Sequence, residues 1–210
     1  MLEDSVPRLR IALPPGDAPI EPAALFERPV EQVWLEIGFG AGEHLLAQAA
    51  ANPDVGFIGC EPFLNGVVRL AGGLAGPSAG RVRIWQDDAR VLLGRLPARA
   101  LSRVFVLFPD PWPKTRHHKR RVISPAVLAM LARTMADGAE LRIATDDAGY
   151  LVWILDHLLR CRDFAWMARA PGDWRHRPDD WPATRYENKA IAGGRRCTYL
   201  RYRRCDRSSA

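Results

Sequence analysis

The chain has 210 residues, of which 48% are hydrophobic, as is ordinary for one soluble globular domain with a core of its own. It contains no apolar run of about 18 residues that could cross a membrane. Its acidic, proline-rich start is unlike a signal peptide, so we expect a cytoplasmic protein. The formal net charge of +6 at pH 7 is compatible with a polyanionic partner.

The predicted elements follow a proline-rich lead-in over 1–31, which we expect to be irregular and which could be mobile. A single domain is expected over 32–207. Apolar runs predict strands at 33–37, 55–60, 82–86, 104–108, 140–145 and 197–203. Helical patterns cover 42–51, about 62–74, the stretch from the Ser124–Pro125 cap to Met135, and 150–159, whereas 170–196 is predicted to be a long loop. This alternation predicts an α/β fold with one doubly wound, mostly parallel sheet and helices on both faces.

A glycine-rich segment, LEIGFGAGEHL, joins the first predicted strand to the first predicted helix. Gly38, Gly40 and Gly42 would let a ligand approach the backbone and the N-terminus of that helix. A GxGxG spacing alone is equally typical of a tight turn. Glu36 ends the strand, where it would repel a pyrophosphate and favour a ligand that carries an ammonium and a sulfonium.

Acidic residues also end the next two strands. Glu61 closes the second strand, where a carboxylate can accept two ribose hydroxyls. Asp88 follows the third strand, where it could accept an adenine amino group; Asp87 is the alternative, and a solvated helix cap is the other interpretation of either residue. This set of strand-end acids resembles the class I S-adenosylmethionine-dependent methyltransferases. The resemblance implies a Rossmann-like sheet of seven strands, with S-adenosylmethionine bound by Glu36, Glu61, Asp88 and the glycine segment.

Residues 104–121 read VFVLFPDPWPKTRHHKRR, which is an apolar strand, an acidic loop with one tryptophan, and a basic run. Ligands bind outside the carboxyl ends of strands in an open α/β sheet, so this order predicts a site for a flat, polar base beside a phosphate-binding patch. Together with LEIGFGAG, IATD (143–146) and TRYENKA (184–190), the segment closely resembles the bacterial tRNA (guanine-N7)-methyltransferases. The resemblance covers about 33–204.

Members of that family methylate N7 of a guanine in the tRNA variable loop, so the resemblance implies tRNA as the partner. It implies that Asp110 is the catalytic acid and also lies against the cofactor. The residues implied to contact the substrate are Lys114, Asp146, Thr184, Arg185, Tyr186 and Glu187. Those implied to contact RNA are Arg116, His117, His118, Lys119, Arg120 and Arg121. The family's last motif often has Arg-Gly where this chain has Lys189 and Ala190, and lysine lacks the bidentate fork of arginine.

The residues themselves leave alternatives open. Guanine N7 has a lone pair and no proton, so its methylation needs no general base, and a nearby carboxylate stabilises the charge that develops. Either Asp110 or Asp146 could accept the donors of the guanine edge, and Trp112 is as compatible with a hydrophobic lid as with stacking on the base. Amino-methylation of another base, or RNA binding by a non-catalytic methyltransferase fold, are the alternative functions. No metal site is predicted, because His117 and His118 have no third ligand nearby and the four cysteines form no CxxC pair.

Overall fold

Seven strands form one sheet at the centre of the structure, a computed structural model that describes residues 2–207, apart from the side chains of 2–5 and 77. The strands are β1 (Gln32–Ile37), β2 (Val55–Cys60), β3 (Val82–Trp85), β4 (Leu101–Leu107), β5 (Met135–Thr145), β6 (Phe164–Trp166) and β7 (Thr198–Arg204). Their spatial order is β3-β2-β1-β4-β5-β7-β6, in which β1 to β5 run parallel and β7 is antiparallel to both neighbours. The predicted doubly wound, mostly parallel seven-stranded sheet is therefore confirmed.

Helices cover both faces of this sheet. They are α1 (Leu2–Leu9), α2 (Glu43–Ala51), α3 (Leu64–Gly73), α4 (Ala89–Arg95), α5 (Pro125–Thr134), α6 (Ala148–Leu159), α7 (Gly172–Arg175) and α8 (Arg185–Ala192). Helices α2 and α3 contribute Leu45 and Val67 to one apolar cluster, while α4 and α6 contribute Leu92 and Ile154 to the cluster on the other face. Within the described residues, no helix is both long and apolar enough to span a membrane.

The lead-in contains more regular structure than its prolines suggest. It forms α1 and a short 3-10 helix at Pro22–Leu25. Leu9, Ile11 and Phe26 are buried, and the Ile11 N–H donates to the Ile84 carbonyl of the edge strand β3 at 2.8 Å. The expectation of an irregular segment is corrected for these residues, because scattered apolar side chains fix them against the sheet. The division into a lead-in and a domain stays a prediction.

The stretch predicted as a long loop, 170–196, carries the short α7 and the two-turn α8. The Thr184 side chain caps α8 by accepting from the Glu187 N–H at 3.2 Å. Only Glu187 and Ala190 of this helix are buried, so its sequence lacks the apolar stripe that would have predicted it. Strand β6 was also missed, because its three residues are too few to form a pattern.

A buried arginine holds the segment before α8 on the sheet. The Arg142 guanidinium of β5 donates to Asp180 at 2.7 Å and to Glu140 at 3.0 Å. The neighbouring Trp181 is fully buried, and Gln48 of α2 donates to the Asp180 carbonyl at 2.8 Å. Burying an arginine is costly unless it is paired, and these two acids pair Arg142. The chain that enters α8 is thereby fixed in position.

We expect Ile11→Ala to lower the free energy of unfolding by about 2–5 kcal/mol, because it empties a buried site between the lead-in and the sheet. Leu159→Ala is the matched control, since the Leu159 side chain is 78% exposed and its loss should change stability by no more than about 0.5 kcal/mol. Urea unfolding of both variants measures the difference. Equal stabilities would show that the lead-in does not contribute to the core.

Candidate functional site

A cavity of about 770 Å³ opens at the carboxyl ends of the parallel strands, where the strand order reverses between β1 and β4. Its walls are the loops that follow β1, β2, β3 and β4, together with residues of α3, α4 and α5 and one side chain from α8. The residues predicted from the sequence that line it are Gly38, Gly40, Glu61, Asp88, Asp110, Arg120, Arg121 and Tyr186. Residues from five separate parts of the chain therefore meet in one cavity.

The glycine segment presents bare backbone to this cavity. Gly38, Gly40 and Gly42 have φ values of +75°, +56° and +80°, a region that side chains disfavour. An added Cβ at Gly38 or Gly40 would meet no atom within 4 Å, so the cavity reaches the main chain there.

Glu61 fixes this segment from the next strand. Its carboxylate is only 5% exposed and accepts the Gly40 N–H at 2.9 Å and the Phe63 N–H at 3.1 Å. A carboxylate has about four acceptor sites, so Glu61 retains capacity for donors from a ligand. It both shapes the cavity and remains able to bind.

Helix α3 approaches the glycine segment closely at Gly66. A Cβ at this position would lie 2.3 Å from the Gly40 carbonyl oxygen and 3.0 Å from the Glu61 side chain. Only glycine permits this approach.

Asp88 caps α4 by accepting the Arg90 N–H at 2.9 Å, which confirms the helix-cap interpretation; it also lines the cavity, and its contact with adenine stays a prediction. Its carboxylate is also bound by the Arg90 guanidinium, and these hydrogen bonds lower the pKa of Asp88. Asp87 accepts from the Asp88 N–H at 2.6 Å and lies on the same rim.

Glu36 is not among the residues that line the cavity. It is 5% exposed, and its carboxylate lies 2.7 Å from Nδ1 of His44 on α2. His44 in turn packs edge-on against Phe105. In this arrangement the Glu36 carboxylate is paired with His44, and its contact with the cofactor stays a prediction.

The loop after β4 carries Asp110 on the rim of the cavity. Asp110 is exposed, and no side-chain hydrogen bond of its carboxylate is found within residues 2–207. Phe108 and Trp112, on either side, have φ values of +50° and +43°, which cost non-glycine residues about 1 kcal/mol each. The loop is held in this conformation by contacts elsewhere.

Trp112 lines the cavity between two residues of the basic run. The Arg120 guanidinium lies over its ring at 4.8 Å from the centroid, and His117 meets it edge-on with centroids 5.8 Å apart. One face of the indole is therefore covered by protein. The other face could stack on a base or close over the cavity, so both interpretations of Trp112 stay open.

The predicted substrate tetrad, residues 184–187, contributes one side chain to the cavity, that of Tyr186. Thr184 caps the helix, and Arg185 forms an ion pair with Glu43 at the start of α2. Glu187 is 2% exposed and is bound by the Tyr199 hydroxyl and by Arg177 at 3.2 Å. Three of the four positions therefore hold α8 in place.

Tyr186 joins the cavity to Asp146. Its ring packs on Phe108 with centroids 5.3 Å apart, and its hydroxyl lies 3.5 Å from both Asp146 carboxylate oxygens. Asp146 is also ion-paired with Arg195, whose guanidinium lies over the Tyr186 ring at 5.6 Å. The Asp146 carboxylate is thus occupied by neighbouring side chains.

The basic run forms a 3-10 helix at Thr115–Arg120 beside the cavity. Its exposed cations are Lys114, Arg116, Lys119 and Arg120, while His117 and His118 are partly buried. Arg121 differs from all of them, because it is 6% exposed and its guanidinium donates to the carbonyls of Pro111 and Trp112. These donors are turned into the protein, so the RNA contact expected of Arg121 stays a prediction that its geometry does not favour.

The family whose description is "Putative methyltransferase" matches residues 30–200. A tRNA (guanine-N(7)-)-methyltransferase from Rhodospirillum rubrum is 52% identical over 190 residues, which are 90% of this chain and 74% of that protein. The protein of that name from Paramagnetospirillum magneticum is 50% identical over 205 residues, 97% of this chain and 85% of its own length. This chain belongs to the tRNA (guanine-N7)-methyltransferase family.

Solved structures of other methyltransferases share the fold. The 16S rRNA methyltransferase KamB superposes with a TM-score of 0.57 at 15% identity, over 84% of this chain and 89% of that one. An rRNA methylase from Streptococcus thermophilus gives a TM-score of 0.56 at 11% identity, over 84% and 88% of the two chains. The seven-stranded sheet of this tRNA (guanine-N7)-methyltransferase family member is therefore the methyltransferase sheet.

The lining residues of this family member that were missed from the sequence include one exposed aromatic ring and two arginines. Phe63 is 71% exposed at the rim, and Arg69 and Arg90 carry positive charge beside the acids of the β2 and β3 ends. The one sequence signal for these residues was the position of Phe63, which lies two residues after the strand-end acid Glu61. The exposure of the Phe63 side chain depends on the turn into α3, so it could not be predicted from the residue type.

We expect Gly66→Ala to lower the free energy of unfolding by about 1–3 kcal/mol, because the new methyl group would overlap the Gly40 carbonyl. Gly94→Ala is the control: this helical glycine has nothing within 4 Å of an added Cβ, so alanine should stabilise by about 0.5–1 kcal/mol. Chemical denaturation measures both changes. If Gly66→Ala were as stable as the parent, the close approach of α3 to the glycine segment would be wrong.

Proposed function

We propose that this chain transfers the methyl group of S-adenosylmethionine to N7 of a guanine in the variable loop of tRNA. The observation that carries the proposal is that one cavity joins the glycine segment and Glu61 to the Asp110 loop, and opens beside exposed cations. The first part suits a nucleoside cofactor, the second a base, and the third a phosphate backbone. Family membership supports the same activity.

The residues of the cavity fit S-adenosylmethionine. The volume of about 770 Å³ lies within the range of small-molecule sites, and the open backbone at Gly38 and Gly40 allows close approach of a ligand. Glu61 would accept hydrogen bonds from the two ribose hydroxyls, and Asp88 would accept a hydrogen bond from the adenine amino group. When bound, S-adenosylmethionine supplies a methyl group on a positively charged sulfur.

The chemistry asks little of the protein beyond position and charge. Guanine N7 attacks with its own lone pair, so no residue has to remove a proton. Positive charge spreads over the imidazole ring of the base as the N7–carbon bond forms, and the Asp110 carboxylate stabilises that charge. Holding the nucleophile, the methyl carbon and the leaving sulfur in line accounts for much of the rest.

Asp110 is the better candidate of the two acids for the guanine edge. Its carboxylate is exposed on the rim and carries no side-chain partner within 2–207, whereas Asp146 is paired with Arg195 and lies next to the Tyr186 hydroxyl. A free carboxylate accepts the guanine N1–H and N2–H₂ donors without first losing another bond. Asp146 contributes by keeping Tyr186 at the cavity wall.

Nucleoside mass spectrometry of tRNA treated with the chain and S-adenosylmethionine tests the proposal. We expect 7-methylguanosine, and we expect Asp110→Asn to reduce its formation by about 10²–10³-fold, because the amide keeps the shape and loses the negative charge. Cofactor binding by calorimetry should persist in this variant. A methylated amino group on another base would favour an amino-methylating enzyme, and cofactor binding without any product would favour a non-catalytic RNA-binding protein.

The exposed cations should make tRNA binding depend on salt. We expect Arg116→Gln and Lys119→Gln each to reduce the slope of log K against log salt concentration by about 1, as for the loss of one phosphate contact. The control is Arg160→Gln, which removes an exposed charge after α6, at the opposite end of the sheet. An unchanged slope in the first two variants would place the phosphates on another surface.

A cytoplasmic location, which the tRNA substrate requires in bacteria, is part of the same proposal.

A further inference from the structure

We infer that Arg121 is a positioning residue for Asp110, distinct in role from the exposed cations that precede it. It acts by holding the backbone of the Asp110 loop from inside the protein. The inference rests on the proposed function and assigns it one more residue. In the sequence, Arg121 is only the last member of a run of cations.

The guanidinium of Arg121 reaches the two residues after Asp110. Its Nε donates to the Pro111 carbonyl at 2.8 Å, and its Nη2 lies 3.4 Å from the Trp112 carbonyl. Both acceptors belong to adjacent peptide units, which matches the planar fork of arginine and not the single ammonium of lysine. These contacts fix the backbone immediately after Asp110.

Two aromatic rings form the floor under Arg121. Its guanidinium carbon lies 5.1 Å from the Tyr150 ring centroid and 4.8 Å from that of Trp153, both on α6. The Tyr150 hydroxyl accepts the Ile123 N–H at 3.1 Å, and the Trp153 indole N–H donates to the Ile123 carbonyl at 2.7 Å. The rings are therefore held by the segment that follows Arg121, and the guanidinium has little freedom to move.

Tyr150 remains a neutral hydroxyl in this setting. Burial raises its pKa to about 12, so the Tyr150 hydroxyl stays uncharged over the pH range of enzyme assays.

The Asp110 loop needs such an anchor because of its backbone. Phe108 and Trp112 both occupy the left-handed region, which residues with side chains leave readily when nothing holds them. The φ angles of Pro109 and Pro111 are set by their rings, so motion of the loop is concentrated at the residues between and beside them. Release of the Trp112 carbonyl would let Asp110 shift on the rim of the cavity.

The test compares two variants of Arg121 with a matched buried arginine. Arg121→Lys keeps the charge and loses the fork, while Arg121→Met keeps the length and loses both. Arg81→Met is the control, because Arg81 is equally buried and also binds backbone carbonyls, those of Asn52, Val55 and Ala49, at the amino end of β3. All three variants should lose thermal stability.

The decisive reading is the single-turnover rate of methyl transfer at saturating S-adenosylmethionine and tRNA. We expect a loss of about 10²-fold in Arg121→Met, as for an ångström-scale misplacement, and a smaller loss in Arg121→Lys. Affinities for tRNA and cofactor should be unchanged, and Arg81→Met should keep the full rate. Hydrogen exchange at the Phe108 N–H, which donates to the Ala144 carbonyl at 2.8 Å, needs no activity and should quicken only in the Arg121 variants.

Two results would overturn the inference. Full rate and unchanged exchange in both Arg121 variants would show that the loop holds itself. A loss of tRNA affinity with an unchanged saturated rate would return Arg121 to the phosphate-binding residues. Faster exchange in the Arg121 variants of a chain that never methylates tRNA would instead support the anchor and remove only the proposed function.

Discussion

The hydrogen bond from the Gly40 N–H to the Glu61 carboxylate is the interaction on which the candidate site depends. It joins the turn after β1 to the end of β2, and it places bare backbone and a buried acid on the same wall of the cavity. Gly66 allows α3 to close behind that bond at a distance no side chain would tolerate. Glu61 is already buried in the folded protein. Much of the free energy that its desolvation costs is therefore part of folding and does not weaken ligand binding.

The other wall depends on arginines that face inward. Arg142 draws the segment before α8 onto the sheet through Asp180, and Arg121 holds the loop that carries Asp110. In both cases a buried arginine binds two oxygen acceptors and fixes an irregular segment of the chain. The same residue type is exposed to solvent at Arg116, where its Nε donates to the neighbouring His117.

Much of the architecture could be predicted because parallel strands place their carboxyl ends together. The acids Glu61, Asp88 and Asp110 end or follow three different strands, so their meeting in one cavity follows from topology alone. Helix α8 could not be predicted in the same way, because its buried positions are Glu187 and Ala190 and carry no apolar period.

The roles of individual charged residues were harder to predict than their location. Glu36 resembles a ligand-binding acid in sequence, yet it is bound to His44 eight residues later, through the fold of the turn between them. Arg121 resembles its neighbours, yet it is the first residue after the 3-10 helix and is buried, whereas Arg120 before it is exposed. Such differences arise from tertiary contacts, which cannot be predicted from a run of similar residue types.

The contact between Ile11 and Ile84 has a consequence for how copies of this chain meet. An uncovered outer strand offers free N–H and C=O groups that can template pairing with another molecule and lead to aggregation. Here the chain's own beginning lies along β3 and takes up the Ile84 carbonyl, while the opposite border of the sheet is the three-residue β6. Neither border presents a long, straight row of free backbone groups, so growth of the sheet from one molecule into the next is discouraged on both sides.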